Sequence, residues 1–135
     1  MKRSNKVSSS RRVQRKRLLS APSSERRKLM SIRLSKELRQ KHKVRNLPVK
    51  RNDVVKILKG KLKNRSGKVV SVYRRRWAIH IDKLTRDKAN GQAIHIPIRP
   101  SNCIIEQLQL DKDRNELIKI SSKAGLKIKN KGVSA

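Results

Sequence analysis

The sequence predicts a mainly-β protein: a small antiparallel barrel with a basic, partly helical N-terminal extension and a short C-terminal helix. Three observations lead there. Between Val49 and Leu110 apolar residues recur with period two in short runs broken by Gly, Asn, Arg and Pro, the pattern of brief strands and tight turns. Before Pro48 the chain is dense in Lys, Arg and Ser and carries helix-start signals instead. The charge is extreme, with 39 Lys and Arg against 9 Asp and Glu, a net of +30.

A length of 135 residues fits one small domain with tails. Four segments follow: a basic arm over 1–20, a helical extension over 21–47, a barrel over 48–110, and a short helix with a basic tail over 111–135. Residues 1–51 hold 19 basic and 2 acidic side chains, whereas 52–110 hold 13 and 4. Charge is densest where the apolar pattern is weakest.

The arm carries Arg11, Arg12, Arg15, Lys16 and Arg17 among serines, without a sizeable apolar face. Little apolar surface offsets its ordering entropy, so it is expected to be disordered when free and to lie along phosphates when bound. A helix is expected from Pro22, in the first turn, to near Met30, with Glu25 at its positive end and Arg26, Arg27 and Lys28 along it. Ser35 is placed to cap a second helix through His42, with Leu34 and Leu38 docking on the domain and Arg39 among its bases. Pro48 disfavours helix at Leu47 and opens the β region.

Five strands are expected in that region. Val55 and Ile57 alternate in the first, Val70 and Val72 in the second, Trp77, Ile79 and Ile81 in the third, and Ile94, Ile96 and Ile98 in the fourth. Cys103 to Leu108 makes the fifth, and Asn90-Gly91 marks a turn between the third and fourth. A body of about 60 residues is marginal alone. Beyond it, Asp111 is placed to cap a helix to about Ala124, with Gly125 as its stop and a loose tail after it.

The first two strands flank the stretch around which the chain is organised, Lys59-Gly60-Lys61-Leu62-Lys63-Asn64-Arg65-Ser66-Gly67-Lys68. Gly60, Asn64 and Gly67 are the turn residues, since glycine and then asparagine best tolerate positive φ. Lys59, Lys61, Lys63, Arg65 and Lys68 therefore project from one tight loop, and Arg74-Arg75-Arg76 form the next connection. A charge run is usually a solvated face. Eight bases on two connections expected to be neighbours favour phosphate contact, Arg being the better shaped for it.

Other chemistries fit poorly. Asp53, Asp82, Asp87 and Glu106 are scattered, and no phosphate-binding Gly-Lys-Thr or Gly-Lys-Ser loop occurs, so no catalytic residue and no enzyme activity is expected. His42, His80 and His95 lack thiolate or carboxylate companions, and Asp111–Asn115 fails as a calcium loop at Glu116 and Ser122, so neither metal nor cofactor is expected. Cys103 is alone and reads as a core residue in a reducing compartment. With one Trp, one Tyr and no Phe, stacking of unpaired bases is poorly supported, whereas backbone and shape recognition of nucleic acid is well supported. No apolar run is long enough to span a membrane, and the N-terminus lacks the apolar region of a secretory signal.

The Lys59–Lys68 stretch with its flanks resembles a KOW motif. Ala21-Pro22-Ser23, Arg26-Arg27-Lys28-Leu29-Met30, Leu34 to Lys41, Asp87 to Gly91, Pro100-Ser101 and Leu110 to Arg114 are similar to the family of large-subunit ribosomal protein twenty-four, called twenty-six in eukaryotic cytosolic ribosomes. The resemblance runs from about Arg15 to about Lys119. It implies an SH3-like barrel bound to large-subunit rRNA beside the nascent-chain exit, with a role in subunit assembly. It also implies neighbouring ribosomal proteins as partners, contact with nascent-chain or targeting factors, a cytoplasmic location and transit through the nucleolus. The segment from Leu84 to Gln92 matches the hairpin that approaches the exit in relatives. Asn64 stands where the motif often has glycine, and the C-terminal tail is short for a eukaryotic member.

Overall fold

Two helices lead the described chain, residues 7–131 of a computed structural model: α1 (Arg11–Ser20) and α2 (Ser23–Leu29). Strand β1 (Ser31–Leu34), helix α3 (Lys36–His42) and strand β2 (Asn46–Pro48) follow. The β region contains β3 (Val54–Ile57), β4 (Ser66–Tyr73), β5 (Ala78–Ile81), β6 (Thr85–Asp87), β7 (Ala93–His95) and β8 (Cys103–Gln107), with a 3-10 turn over Pro100–Asn102. Helix α4 (Lys112–Lys131) ends the described chain.

Six strands form one open sheet in the order β2-β1-β8-β3-β4-β5, while β6 and β7 form a separate ribbon. All neighbours run antiparallel except β1 and β8, which are parallel with Arg33 opposite Ile104. An isolated bridge between Ile79 and Ile98 brings the chain after β7 back against β5. The architecture is mainly β and consistent with a small SH3-like barrel. Ile32, Leu34, Val55, Ile57, Val69, Ile79, Ile81 and Ile105 are essentially inaccessible and form its core.

The extension expected to be helical supplies two of the six sheet strands. Ile32 and Leu34 of β1 and Leu47 of β2 are buried with the core, so the sheet crosses the expected boundary at residue 47. With three residues in β2 and four in β1, the period-two signal is too brief to register. Recruiting them enlarges a core that 48–110 alone would leave marginal. Helix α3 forms as expected: Ser35 Oγ accepts from Leu38 N at 3.3 Å, Leu34 is buried and Leu38 packs on the core.

Residues 11–20 of the arm are helical, whereas residues 1–6 lie outside the described ones. Long-chain Arg, Lys, Gln and Leu favour helix, and α1 buries no residue. Its C-terminal end is held by Arg26, whose Nε and Nη2 donate to Ala21 O and Leu19 O at 2.7 Å.

Within the β region three expectations change. The second strand faces its core through Val69, not Val70, because the β4–β5 register shifts between Val69 and Ser71. Such a bulge breaks strict alternation. Trp77 lies in the β4–β5 turn at φ 56°, not in β5, and packs partly buried under the Arg26 guanidinium. The expected fourth strand divides: Ile94 is exposed on the β6–β7 ribbon, Ile96 is half-buried, and Ile98 is buried at the bridge to Ile79. Strand β6, exposed throughout, has no apolar pattern to reveal it, and Asn90-Gly91 turns between β6 and β7.

Asp111 caps α4, its Oδ1 accepting from Arg114 N at 3.0 Å. The helix does not stop at Gly125 but runs on to Lys131. One glycine costs a helix only about 1 kcal/mol. The remainder of the expected loose tail, residues 132–135, lies outside the described residues.

Asp53 links these parts. Fully buried, it receives a bidentate fork from Arg114, with Nη2 to Oδ2 at 2.9 Å, and also accepts from Lys50 N and Gln109 N. Arg114 in turn donates to Gln109 O and to Pro48 O on β2. Replacing Arg114 with Met should lower unfolding free energy by about 3–5 kcal/mol, because it strands a buried carboxylate. Urea denaturation checks this; Lys50→Ala, which breaks only the exposed Lys50–Asp111 pair, should cost under about 1 kcal/mol. At Gly67 a Cβ would lie 2.7 Å from Ile81 Cγ2 and 2.8 Å from Asp82 O. Gly67→Ala should accordingly cost about 1–3 kcal/mol in the same assay.

Candidate nucleic-acid interface

The β3–β4 connection is a closed, ordered loop. Asn64 N donates to Ile57 O at 2.8 Å and Ile57 N to Arg65 O at 2.9 Å, while Lys63 N reaches Gly60 O at 3.1 Å. Leu62 packs against the core from inside the loop. Gly60 at φ 97° and Asn64 at φ 67° make the turn, so asparagine occupies the left-handed region as its chemistry permits. Gly67 is not a turn residue. It lies in β4 opposite Val55, where its missing side chain admits Ile81 and the Asp82 carbonyl.

Lys59, Lys61, Lys63, Arg65 and Lys68 are all exposed. Among the described residues none of the five makes a side-chain hydrogen bond or an ion pair. A rigid backbone thus carries five unsatisfied cations, each free to take an anion. Such an arrangement suits anionic groups, since the ordering cost falls on the loop before any ligand arrives.

A second basic group gathers where α1 and α2 meet the β4–β5 turn. Arg74 Nη1 donates to Ser23 Oγ at 2.9 Å, which fixes the turn against the start of α2. Arg11, Arg12, Arg15, Lys16 and Arg17 are exposed on α1, Arg27 and Lys28 on α2, and Arg75 and Arg76 on the turn. Arg26 differs, because its donors hold Leu19 O and Ala21 O and its guanidinium carbon lies 5.4 Å from the Trp77 ring centre. Arg39 is likewise half-buried, with Nε on Leu34 O at 2.8 Å. These two arginines hold the fold first.

The two basic groups are not the neighbours expected. The loop lies at the start of the eight-residue strand β4 and Arg74–Arg76 at its end, about 23 Å apart along the strand. Consecutive connections of one meander alternate between the ends of the sheet, which separates connections adjacent in sequence. A partner touching both must span the length of the sheet.

Other candidate chemistry disperses. Among the described residues no three His, Cys, Asp or Glu side chains gather as metal ligands. Cys103 is buried, and burial pushes its thiol up to about 11, which makes it a core residue and a poor nucleophile. Glu106 faces Lys56 at 4.0 Å, and Asp82 Oδ1 accepts from Lys83 N. The buried Asp53–Arg114 pair is not among the expected features, though one signal points to it. Arg114 shares a helical face with Leu117 and Ile118, and a cation in an apolar stripe needs a buried partner.

Comparison with known proteins gives concordant results. The family model described as ribosomal proteins L26 of eukaryotes, with their archaeal counterparts, matches residues 8–121. A Schizosaccharomyces pombe protein named large ribosomal subunit protein uL24 is 51% identical over 118 residues, covering 87% of this chain and 94% of its own. The Dictyostelium discoideum protein of that name is 51% identical over 118 residues, with 87% and 85% covered. The Caenorhabditis elegans one is 48% identical over 112 residues, with 83% and 79% covered. A mainly-β body with unpaired cations on an ordered loop, matched along most of its length, therefore belongs to this L26 family of ribosomal proteins, structural components rather than enzymes.

Proposed function

We infer that this protein is a structural constituent of the large ribosomal subunit that binds rRNA near the polypeptide exit and assists subunit assembly. The observation that carries the RNA-binding part is the Lys59–Lys68 loop: five exposed cations without protein partners on a backbone already fixed by Gly60 and Asn64. Family membership supplies the particle and supports a cytoplasmic, ribosome-bound location, with nucleolar transit during assembly.

The two basic groups at opposite ends of β4 support a division of labour. The loop takes phosphates of one RNA segment, while Arg74–Arg76 with Arg27 and Lys28 take those of another. Helix α1 extends the second group; Arg26 holds its C-terminal end, and because it buries no residue of its own, RNA packed along Arg11–Arg17 secures the rest. One small body then fixes the spacing of two RNA segments, which is how a non-catalytic protein helps assembly. The β6–β7 ribbon supports the position near the exit. Its base is anchored by buried Leu84, whose carbonyl accepts from Ile96 N at 3.0 Å, while Thr85 to Asp87 stay exposed. Neighbouring ribosomal proteins and nascent-chain or targeting factors are the partners such a projection suits.

Replacing Lys61, Lys63 and Arg65 together with Ala should weaken binding to a large-subunit rRNA fragment. The slope of log affinity against log salt should flatten by about 2–3, since each phosphate left unneutralised removes roughly 0.7–0.9. Filter binding across a salt series reads both quantities. An unchanged slope would mean that these side chains do not face phosphate.

A further inference from the structure

Although the sequence is poor in aromatic residues, the structure gathers three of its rings into one row. Tyr73 at the end of β4, His80 on β5 and His95 on β7 come from three strands. The Tyr73 and His80 ring centres are 4.7 Å apart at an interplanar angle of 53°, and those of His80 and His95 are 5.6 Å apart at 33°. Counting Phe, Tyr and Trp alone hides such a platform, because imidazole rings stack on bases as well.

We propose that this row is a stacking site for an unpaired RNA base, with the adjacent arginine turn holding the phosphate of the same nucleotide. The proposal rests on the rRNA-binding reading and deepens it. Tyr73, the most exposed of the three rings, is 44% exposed and lies outside the core, so solvent and a ligand can reach it. Arg74, Arg75 and Arg76 follow it directly in sequence and are exposed. His95 Nδ1 is buried without a hydrogen-bond partner, so the inner end of the row carries an unsatisfied polar atom.

Charge supports the same ligand. Desolvation, the neighbouring His95 and Arg76 all hold the His80 imidazole below its ordinary value, so at neutral pH it is an uncharged ring. An uncharged His80 ring with arginines beside the row separates base from phosphate, as a nucleotide requires. The competing account is that the rings only fill space where the β6–β7 ribbon meets the sheet. Filling space does not call for a tyrosine left nearly half in solvent beside three arginines.

The test titrates the full chain with a short oligoadenylate RNA and with an abasic RNA of equal length and phosphate count. Anisotropy gives affinity, and NMR follows the ring protons of Tyr73, His80 and His95. The expected result is tighter binding of oligoadenylate and upfield ring shifts with it alone. Tyr73→Ala should weaken oligoadenylate about five- to a hundredfold and leave the abasic RNA unchanged, with His80→Gln intermediate. Circular dichroism of each variant confirms the fold. Equal binding of the two RNAs with unmoved ring protons would overturn the stacking site while leaving phosphate binding intact. Loss of binding to both, and to the large-subunit rRNA fragment, would overturn the rRNA-binding reading and this site with it.

Discussion

One buried ion pair ties this fold together. Asp53 sits in the turn before β3, and its two oxygens take the Arg114 fork plus the backbone amides of Lys50 and Gln109. Arg114 adds the carbonyls of Pro48 and Gln109, so strand β2, the turn into β3, the segment after β8 and helix α4 meet at one carboxylate. The pair itself nearly cancels against desolvation, but every part it joins depends on the other half being present. It also couples the ends of the sheet region: β2, the turn into β3 and α4 cannot separate without stranding a charge. A protein with so large a positive field has few carboxylates to place, and it places this one where no solvent reaches.

That fixed body is what makes the basic surface useful. Cations on a flexible chain would lose conformational freedom on binding, whereas the β3–β4 loop has already lost it through the Ile57–Asn64 and Ile57–Arg65 hydrogen bonds. Strand β4 then sets the distance between the loop and the arginine turn. Gly67 lets β4 approach Ile81 and Asp82, so the residue that fails as a turn former matters for the spacing instead. On the proposed rRNA-binding reading, electrostatics supplies the affinity and the sheet supplies the geometry in which it is delivered.

Much of this was legible in the residues. Period-two apolar runs marked β3, β4, β5 and β8, Ser35 and Asp111 marked their caps, and Asn90-Gly91 marked the ribbon turn. What escaped has physical causes. Strands β1 and β2 are too short for a period to register, and β6 is exposed on both faces. The bulge at β4 changes which valine is buried, a shift that local alternation does not encode. For the site, residue type identified the loop cations correctly as exposed bases, but type does not say which arginine is already engaged. Arg26 and Arg39 look like the others in sequence and are distinguished only by the carbonyls they reach. Nor does the sequence show that two basic connections lie at opposite ends of one strand, or that a tyrosine and two histidines converge.

The central claim is that the cations of the β3–β4 loop are neutralised by rRNA in the assembled particle. Lysine acylation footprinting tests it most directly, comparing the free protein with intact large subunits by mass spectrometry. Lys59, Lys61, Lys63 and Lys68 should be reactive in the free protein, where all are exposed, and strongly protected in the subunit. Equal reactivity in the two states would contradict the account.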